Sequence, residues 1–152
     1  MKEGKVSQAV LERSIIRSIK NKNDNIIKGA QIGGDVSLLC SDSEEIIAVT
    51  TRSAVLDDMD KSGEGYFSKL EYCFVNLVNH IVCGNAKPKN LMVSIVFPQK
   101  SEEKYLKQIM KNLNSLCEDN GMYITGGNTQ VSSAVEYPVI TLTCIGFSSF
   151  SL

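Results

Sequence analysis

Residues 66–98 read YFSKLEYCFVNLVNHIVCGNAKPKNLMVSIVFP, and two periodicities meet inside them. In the first half Phe67, Leu70, Phe74, Leu77, Val78 and Ile81 recur at the spacing of one apolar helix face, which predicts a helix over about 66–82. Gly84, Asn85 and Pro88 then supply the residues of a turn. From Leu91 to Phe97 the chain is a nearly continuous apolar run closed by Pro98, and this reads as a strand. Leu91, Met92 and Val96, alternating with Val93, Ile95 and Phe97, put apolar side chains on both sides of it. One side can pack on helices. The other needs a second cover, which for so short a chain points to another subunit.

Working outward, Ser101 opens a second helix, with Glu102 and Glu103 in the first turn, where negative charge suits the helix dipole. It reaches about Asn120 with Ile109, Leu113 and Leu116 inward, and Gly121 closes it. The last strands are expected over 122–125 and 139–145, separated by Gly126, Gly127, Asn128, Thr129 and a Ser-rich loop. Upstream, 36–40 and 46–51 are β-rich runs joined by a polar turn at 41–44, a hairpin. Residues 25–34 hold Ile26, Ile27 and Ile32 broken by glycines, a short extended piece entering a tight turn. Residues 7–20 carry Val10, Leu11, Ile15 and Ile19 at helical spacing behind Ser7 as N-cap. The polar stretch 57–64 reads as a mobile loop. It has several aspartates without the ordered spacing of a metal loop, so a solvated loop is the plainer reading. This order of elements suits an α+β fold: a two-layer sandwich with a mixed four-stranded sheet, helices on one face. With no repeat, low-complexity tract or boundary, residues 1–152 read as a single domain.

The composition narrows the function classes. A chain of 152 residues can bury roughly two thirds of the surface its unfolded form exposes, so it needs no disulfide or metal to fold. Sixteen Lys and Arg against 17 Asp and Glu leave no basic field to gather a nucleic acid. The five cysteines, Cys40, Cys73, Cys83, Cys117 and Cys144, are scattered through apolar stretches without CxxC spacing, and only one His accompanies them. They read as reduced core thiols rather than zinc ligands or nucleophiles. Nothing resembles a signal region, and no run of about 18 apolar residues occurs. The expectation is a cytoplasmic protein with no membrane and no nucleic-acid partner.

Three motifs now line up with a known family. Val78-Asn79-His80-Ile81, with Gly84-Asn85-Ala86-Lys87-Pro88 and the strand after it, resembles a helix carrying V-N-D, a G-A-x-P turn and a strand ending in Pro. Gly126-Gly127-Asn128-Thr129-Gln130-Val131, followed by Tyr137-Pro138-Val139, resembles the family's G-G-H-T-E-V loop and next strand. Gly33-Gly34-Asp35, preceded by Gly4-Lys5 and Leu11, sits where the family has G-D-D or G-E-D. The chain is thus similar to the N-terminal, ATP-binding domain of the AIR synthase family, whose relatives include selenophosphate synthetase, thiamine phosphate kinase and a hydrogenase maturation factor. The resemblance implies ATP and magnesium as cofactors. It also implies a dimer paired through its sheet face into a closed barrel, and a C-terminal domain that is absent from this chain.

Carried over residue by residue, the metal site is depleted. Magnesium wants hard oxygen ligands. At the G-D-D position Asp35 remains as the one metal-ligand candidate, with Gly34 in place of a second carboxylate. The family's T-D falls on Thr51-Arg52, a fixed positive charge. In V-N-D, Asn79 remains while His80 replaces the Asp, and Asn128 and Gln130 replace the His and Glu of the glycine loop. Losing hard ligands weakens magnesium binding, so no catalytic residue is assigned. Arg52 can contact a phosphate in place of the metal, and Gly126, Gly127 and Thr129 can offer backbone donors to an anion. Each has a plainer reading: Asp35 as a turn residue, His80 as a helix residue, the glycine pair as a strand-to-loop bend. The resulting expectation is a catalytically defective, dimerising nucleotide-binding or regulatory subunit, as a homodimer or paired with a full-length relative. An active enzyme completed by another chain, and a ligand-free oligomerisation module, are the alternatives.

Overall fold

The structure, a computed structural model, describes residues 1–58 and 67–148. Most of the polar loop expected over 57–64, and the expected helix start at Tyr66, lie outside the described residues. Helix α1 (Gln8–Ser14) is followed by a single 3-10 turn, then strands β1 (Ile26–Lys28), β2 (Ser37–Cys40) and β3 (Ile46–Val55). Helix α2 (Ser68–Cys83), strand β4 (Lys87–Pro98), helix α3 (Glu103–Asp119) and strands β5 (Tyr123–Ser132) and β6 (Val139–Ser148) complete the chain.

The α+β sandwich with a mixed sheet and its helices is present. The strand count is corrected: the sheet has six strands in the order β1-β2-β3-β6-β4-β5, antiparallel throughout except for the parallel pair β4 and β5. Five of the six overlap the runs read as strands at 36–40, 46–51, 91–97, 122–125 and 139–145, and two features go beyond those runs. The short piece at Ile26–Lys28 adds an edge strand, and β5 does not stop at the glycines.

Alternation in β4 selects one wet and one dry face. Leu91, Val93, Ile95 and Phe97 all point to the same, buried side, together with Ala48 of β3 and Ile140, Leu142 and Cys144 of β6. Against them pack Leu70, Phe74, Leu77 and Ile81 of α2 and Ile109, Leu113 and Cys117 of α3, which together form the core. Leu91 therefore does not contribute to a second apolar face. On the other side of the sheet the centre is a patch of hydroxyls: Thr51 meets Thr143 at 3.0 Å and Ser53 meets Thr141 at 2.7 Å, with Met92 beside them. Val55 and Met92 are exposed here, and the half-buried Val49, Val96, Val139 and Ile145 share this face.

Two further expectations are corrected. The N-terminal helix, expected over 7–20, is only seven residues long and buries none of them; Ile15 and Ile19, expected inward, are about half exposed. Its pattern is amphipathic, but a helix this short gains too little from packing to be held by propensity alone. Of the five cysteines, Cys73, Cys117 and Cys144 are buried, Cys40 is half-buried and Cys83 is exposed at the end of α2. Among the described residues no helix is long and apolar enough to cross a membrane.

The strand persists through Gly126-Gly127 because of a register shift between Leu91 and Met92, after which Gly127 faces Val93. Gly127 has φ of 156°, and a Cβ there would lie 1.7 Å from the Val93 carbonyl oxygen, whereas a Cβ at Gly126 would make an ordinary 3.5 Å contact with the end of Met92. Only the second glycine is sterically required. Gly127→Ala is expected to destabilise the fold by about 2–4 kcal/mol and Gly126→Ala by less than about 1 kcal/mol, read from urea unfolding midpoints. Equal effects would show that the bulge is not what holds this strand.

Burial also sets the thiols apart. It pushes Cys117 up to about 11 and Cys144, with Cys117 nearby, up to about 12, from an ordinary 9.0. The folded form therefore holds protons that the unfolded chain releases. The associated stability is complete below about pH 9 and is lost as pH rises through 11 and 12. In native protein at pH 8, a thiol reagent should modify Cys83 first and leave Cys73, Cys117 and Cys144 untouched until denaturant is added. Rapid labelling of Cys144 without unfolding would contradict the packing described.

Candidate functional site

Asp35 stands two residues ahead of β2 with its side chain exposed. It is fixed through its main chain: the Thr50 hydroxyl donates to the Asp35 carbonyl at 2.6 Å. The carboxylate borders a shallow cleft of about 290 Å³ with Gly34, Ser37, Thr50 and Thr51. The end of α2 abuts this corner, since a Cβ at Gly84 would lie 3.1 Å from Val36. Asn79 is exposed on α2 and His80 is half-buried. The His80 carbonyl accepts the Gly84 N–H at 3.0 Å, and the Ala86 N–H returns to the Ile81 carbonyl at 3.1 Å. Asn85 sits between them at φ 60°, a left-handed position that Asn tolerates better than most residues.

Arg52, midway along β3, is the best-built position of the set. Its guanidinium lies 5.6 Å from the centroid of the Tyr72 ring on α2, close enough for a cation–π contact. The buried Cys73 thiol approaches the Arg52 carbonyl at 3.7 Å; burial raises that thiol's pKa and the Arg52 charge partly offsets the rise. Below Arg52 opens a cleft of about 680 Å³, bordered by Ser53, Asp57, Ser68, Lys69 and Tyr72. The start of α2 is tied down here from outside the helix: Asp58 Oδ2 accepts from the Ser68 hydroxyl at 2.8 Å and from the Lys69 N–H at 2.9 Å. That carboxylate supplies the acceptor that Phe67, at the N-cap position, cannot offer. Lys69 Nζ pairs with Asp57, and the hydrogen bond between them lowers the Asp57 carboxyl pKa and raises the Lys69 ammonium pKa.

Gly126, Gly127 and Thr129 lie on β5, at the opposite edge of the sheet. They border a cleft of about 280 Å³ with Val93, Met110 and Ile124. Asn128 and Gln130 on the same strand are exposed.

Register measures how far apart these positions are. Arg52, Leu142, Val93 and Gly127 are successive partners in one row across four strands, which puts Arg52 and Gly127 about 14 Å apart. Thr51, Thr143, Met92 and Gly126 form the next row, and Asp35, bonded through its carbonyl to Thr50, lies beyond β3 on the β2 side. Asp35 and the glycine pair are therefore separated by about 19 Å of sheet. Within one chain the sequence-derived positions line three clefts rather than one. Among the described residues no group of three or more His, Cys, Asp or Glu side chains converges as a metal site would require. The residues that sequence reasoning missed are Asp58, Lys69 and Tyr72. Tyr72 had a signal available, being an aromatic outside the apolar stripe of α2. The Asp58 contact joins the end of one loop to a helix ten residues on and had none.

With this geometry established, comparison places the chain among known proteins. The sequence model of the family described as AIR synthase related protein, N-terminal domain, matches residues 71–148, just over half of the 152. No curated protein sequence gives a significant match. Among solved structures, HypE in a HypE-HypF complex is similar over 93% of this chain and 43% of its own, with 23% identity and a TM-score of 0.69. HypE in complex with ATP is similar over 97% of this chain and 42% of its own, at 16% identity and a TM-score of 0.58. AaThiL complexed with AMPPCP and TMP is similar over 78% of this chain and 37% of its own, at 20% identity and a TM-score of 0.59. At these identities the likeness is one of fold, and the chain spans less than half the length of each structure. On the strength of the family match, this chain belongs to the AIR synthase-related family and carries its N-terminal domain.

Proposed function

We propose that this domain binds a nucleotide through its phosphates without depending on a metal, and serves as a dimerising, regulatory partner rather than as a catalyst. The observation that carries this reading is Arg52, held over Tyr72 at the mouth of the 680 Å³ cleft with Lys69 on the same rim. A guanidinium offers several N–H donors in a rigid fork that fits phosphate oxygens, and it repels a divalent cation. The position that holds a carboxylate in the family pattern here holds the charge that magnesium would otherwise supply. The neighbours solved with ATP and with AMPPCP support a nucleotide as the ligand class. Dimerisation rests on the family resemblance and on the open face of the sheet, where Met92 and Val55 flank the hydroxyl patch.

The 19 Å between Asp35 and the glycine pair favours a second reading, an active enzyme completed by residues of another chain. Calorimetric titration separates the two. On the first reading ATP binds with an affinity that changes less than about threefold between magnesium and EDTA, and Arg52→Ala weakens it at least about tenfold, the loss of one charge-assisted phosphate contact. Phosphate release accompanied by tight, magnesium-dependent binding overturns it and leaves the second.

A further inference from the structure

A further cleft shares no residue with those described above. It measures about 720 Å³ and lies where the end of α2, the start of β4 and the end of β6 come together. Val82, Ala86 and Phe147 form an apolar wall, Lys87 and Lys89 stand at the rim, and Glu45 is the one carboxylate that borders it. The volume falls within the range of small-molecule sites, about 300–1,000 Å³.

The two lysines are placed by the backbone. Lys87 pairs across the sheet with Phe147, and both residues border the cleft. Lys89 is the additional residue at a register shift between Pro88 and Asn90, and its ammonium rests 5.2 Å from the centroid of Tyr123 on β5. Irregularities of this kind re-aim a side chain that regular alternation would direct elsewhere. Among the described residues no carboxylate, Glu45 included, lies within ion-pair distance of either lysine. An apolar wall would not by itself recruit a charge, and two ammonium groups without a carboxylate partner among the described residues, over such a wall, are complementary to an anion with an apolar body.

We infer that this cleft is a second, independent binding site for an organic phosphate monoester: the phosphate between Lys87 and Lys89, the apolar body against Val82, Ala86 and Phe147. Two cations at the rim favour a dianionic phosphate over a monoanion. The wall favours an attached hydrocarbon or aromatic group over inorganic phosphate.

Nuclear magnetic resonance titration of the full chain tests this with three probes: phenyl phosphate, inorganic phosphate and benzyl alcohol. Phenyl phosphate is expected to shift the signals of Val82, Ala86 and Phe147 saturably, with inorganic phosphate at least about tenfold weaker and benzyl alcohol without saturation. Lys87→Glu with Lys89→Glu should weaken phenyl phosphate at least about tenfold, and the milder Lys87→Gln with Lys89→Gln should do so in part. Both lysines are exposed, and an unchanged melting temperature shows that the variants fold. Arg52→Ala should leave phenyl phosphate binding intact, so failure of the nucleotide reading and failure of this one are separate results. The inference is overturned if phenyl phosphate binds both lysine variants as tightly as the parent. It is equally overturned if inorganic phosphate binds as well as phenyl phosphate, or if the shifts are confined to the Arg52 cleft or do not occur.

Discussion

The dry face of β3, β6 and β4 is the constraint from which the rest of this structure follows. Ile140, Leu142, Cys144, Leu91, Val93 and Ile95 form a continuous apolar surface at the sheet centre, and all of them are closed off by α2 and α3. Each such aliphatic side chain contributes roughly 1.5–3 kcal/mol on burial. A slip of one residue in β6 would turn its whole set toward water, so the register across these three strands is tightly specified. Once it is specified, the rows that run through it are fixed as well. The separation between Arg52 and Gly127 is thus a property of the core and cannot be closed by a small adjustment of loops.

The same register divides the sheet into two surfaces with different roles. Arg52 shares the helix-facing row with Leu142 and Val93, which is why its charge ends up stacked against Tyr72 instead of lying on the hydroxyl patch. Thr51, one residue earlier, faces the other way and bonds to Thr143. A pair of adjacent residues that reads as one motif in the sequence is therefore split between two faces. The cleft beside Arg52 is bordered by Lys69 and Asp57 at the start of α2 and by Ser53 and Val55 of β3.

This explains how much was legible beforehand. The α2 and α3 stripes, the strand at 91–97 and the hairpin could be read because each follows a single period that the core rewards. The strand through Gly126 and Gly127 could not, because two adjacent glycines ordinarily signal a break and the local chain holds no sign that a neighbouring carbonyl, that of Val93, would occupy the space of a missing Cβ. The N-terminal helix failed for the converse reason: Val10, Leu11, Ile15 and Ile19 obey the right period, but Ile15 and Ile19 remain about half exposed. Periodicity predicts which face would be buried, and only tertiary contact decides whether it is. The candidate site was legible as a set of positions, since the motifs carry them in order. Their distances were not, because the strand order β3-β6-β4-β5 inserts the last strand of the chain between earlier ones.

The substitutions at the family's metal positions can be weighed against each other in these terms. Gln130 in place of the family pattern's Glu removes a charge yet leaves an oxygen, a change that a weaker cation site can survive. Arg52 is different in kind, because it carries a permanent positive charge, and its guanidinium lies 5.6 Å from the centroid of the Tyr72 ring. Cys73 is buried just beneath its carbonyl, so the backbone at this point is held as well. A guanidinium and a divalent cation repel one another, which is why the proposed nucleotide reading does without the metal. Asp35 is exposed and is held through its main chain by the hydroxyl of Thr50, two residues from Arg52. On the proposed reading, an anion entering the Arg52 cleft would meet a guanidinium already in place.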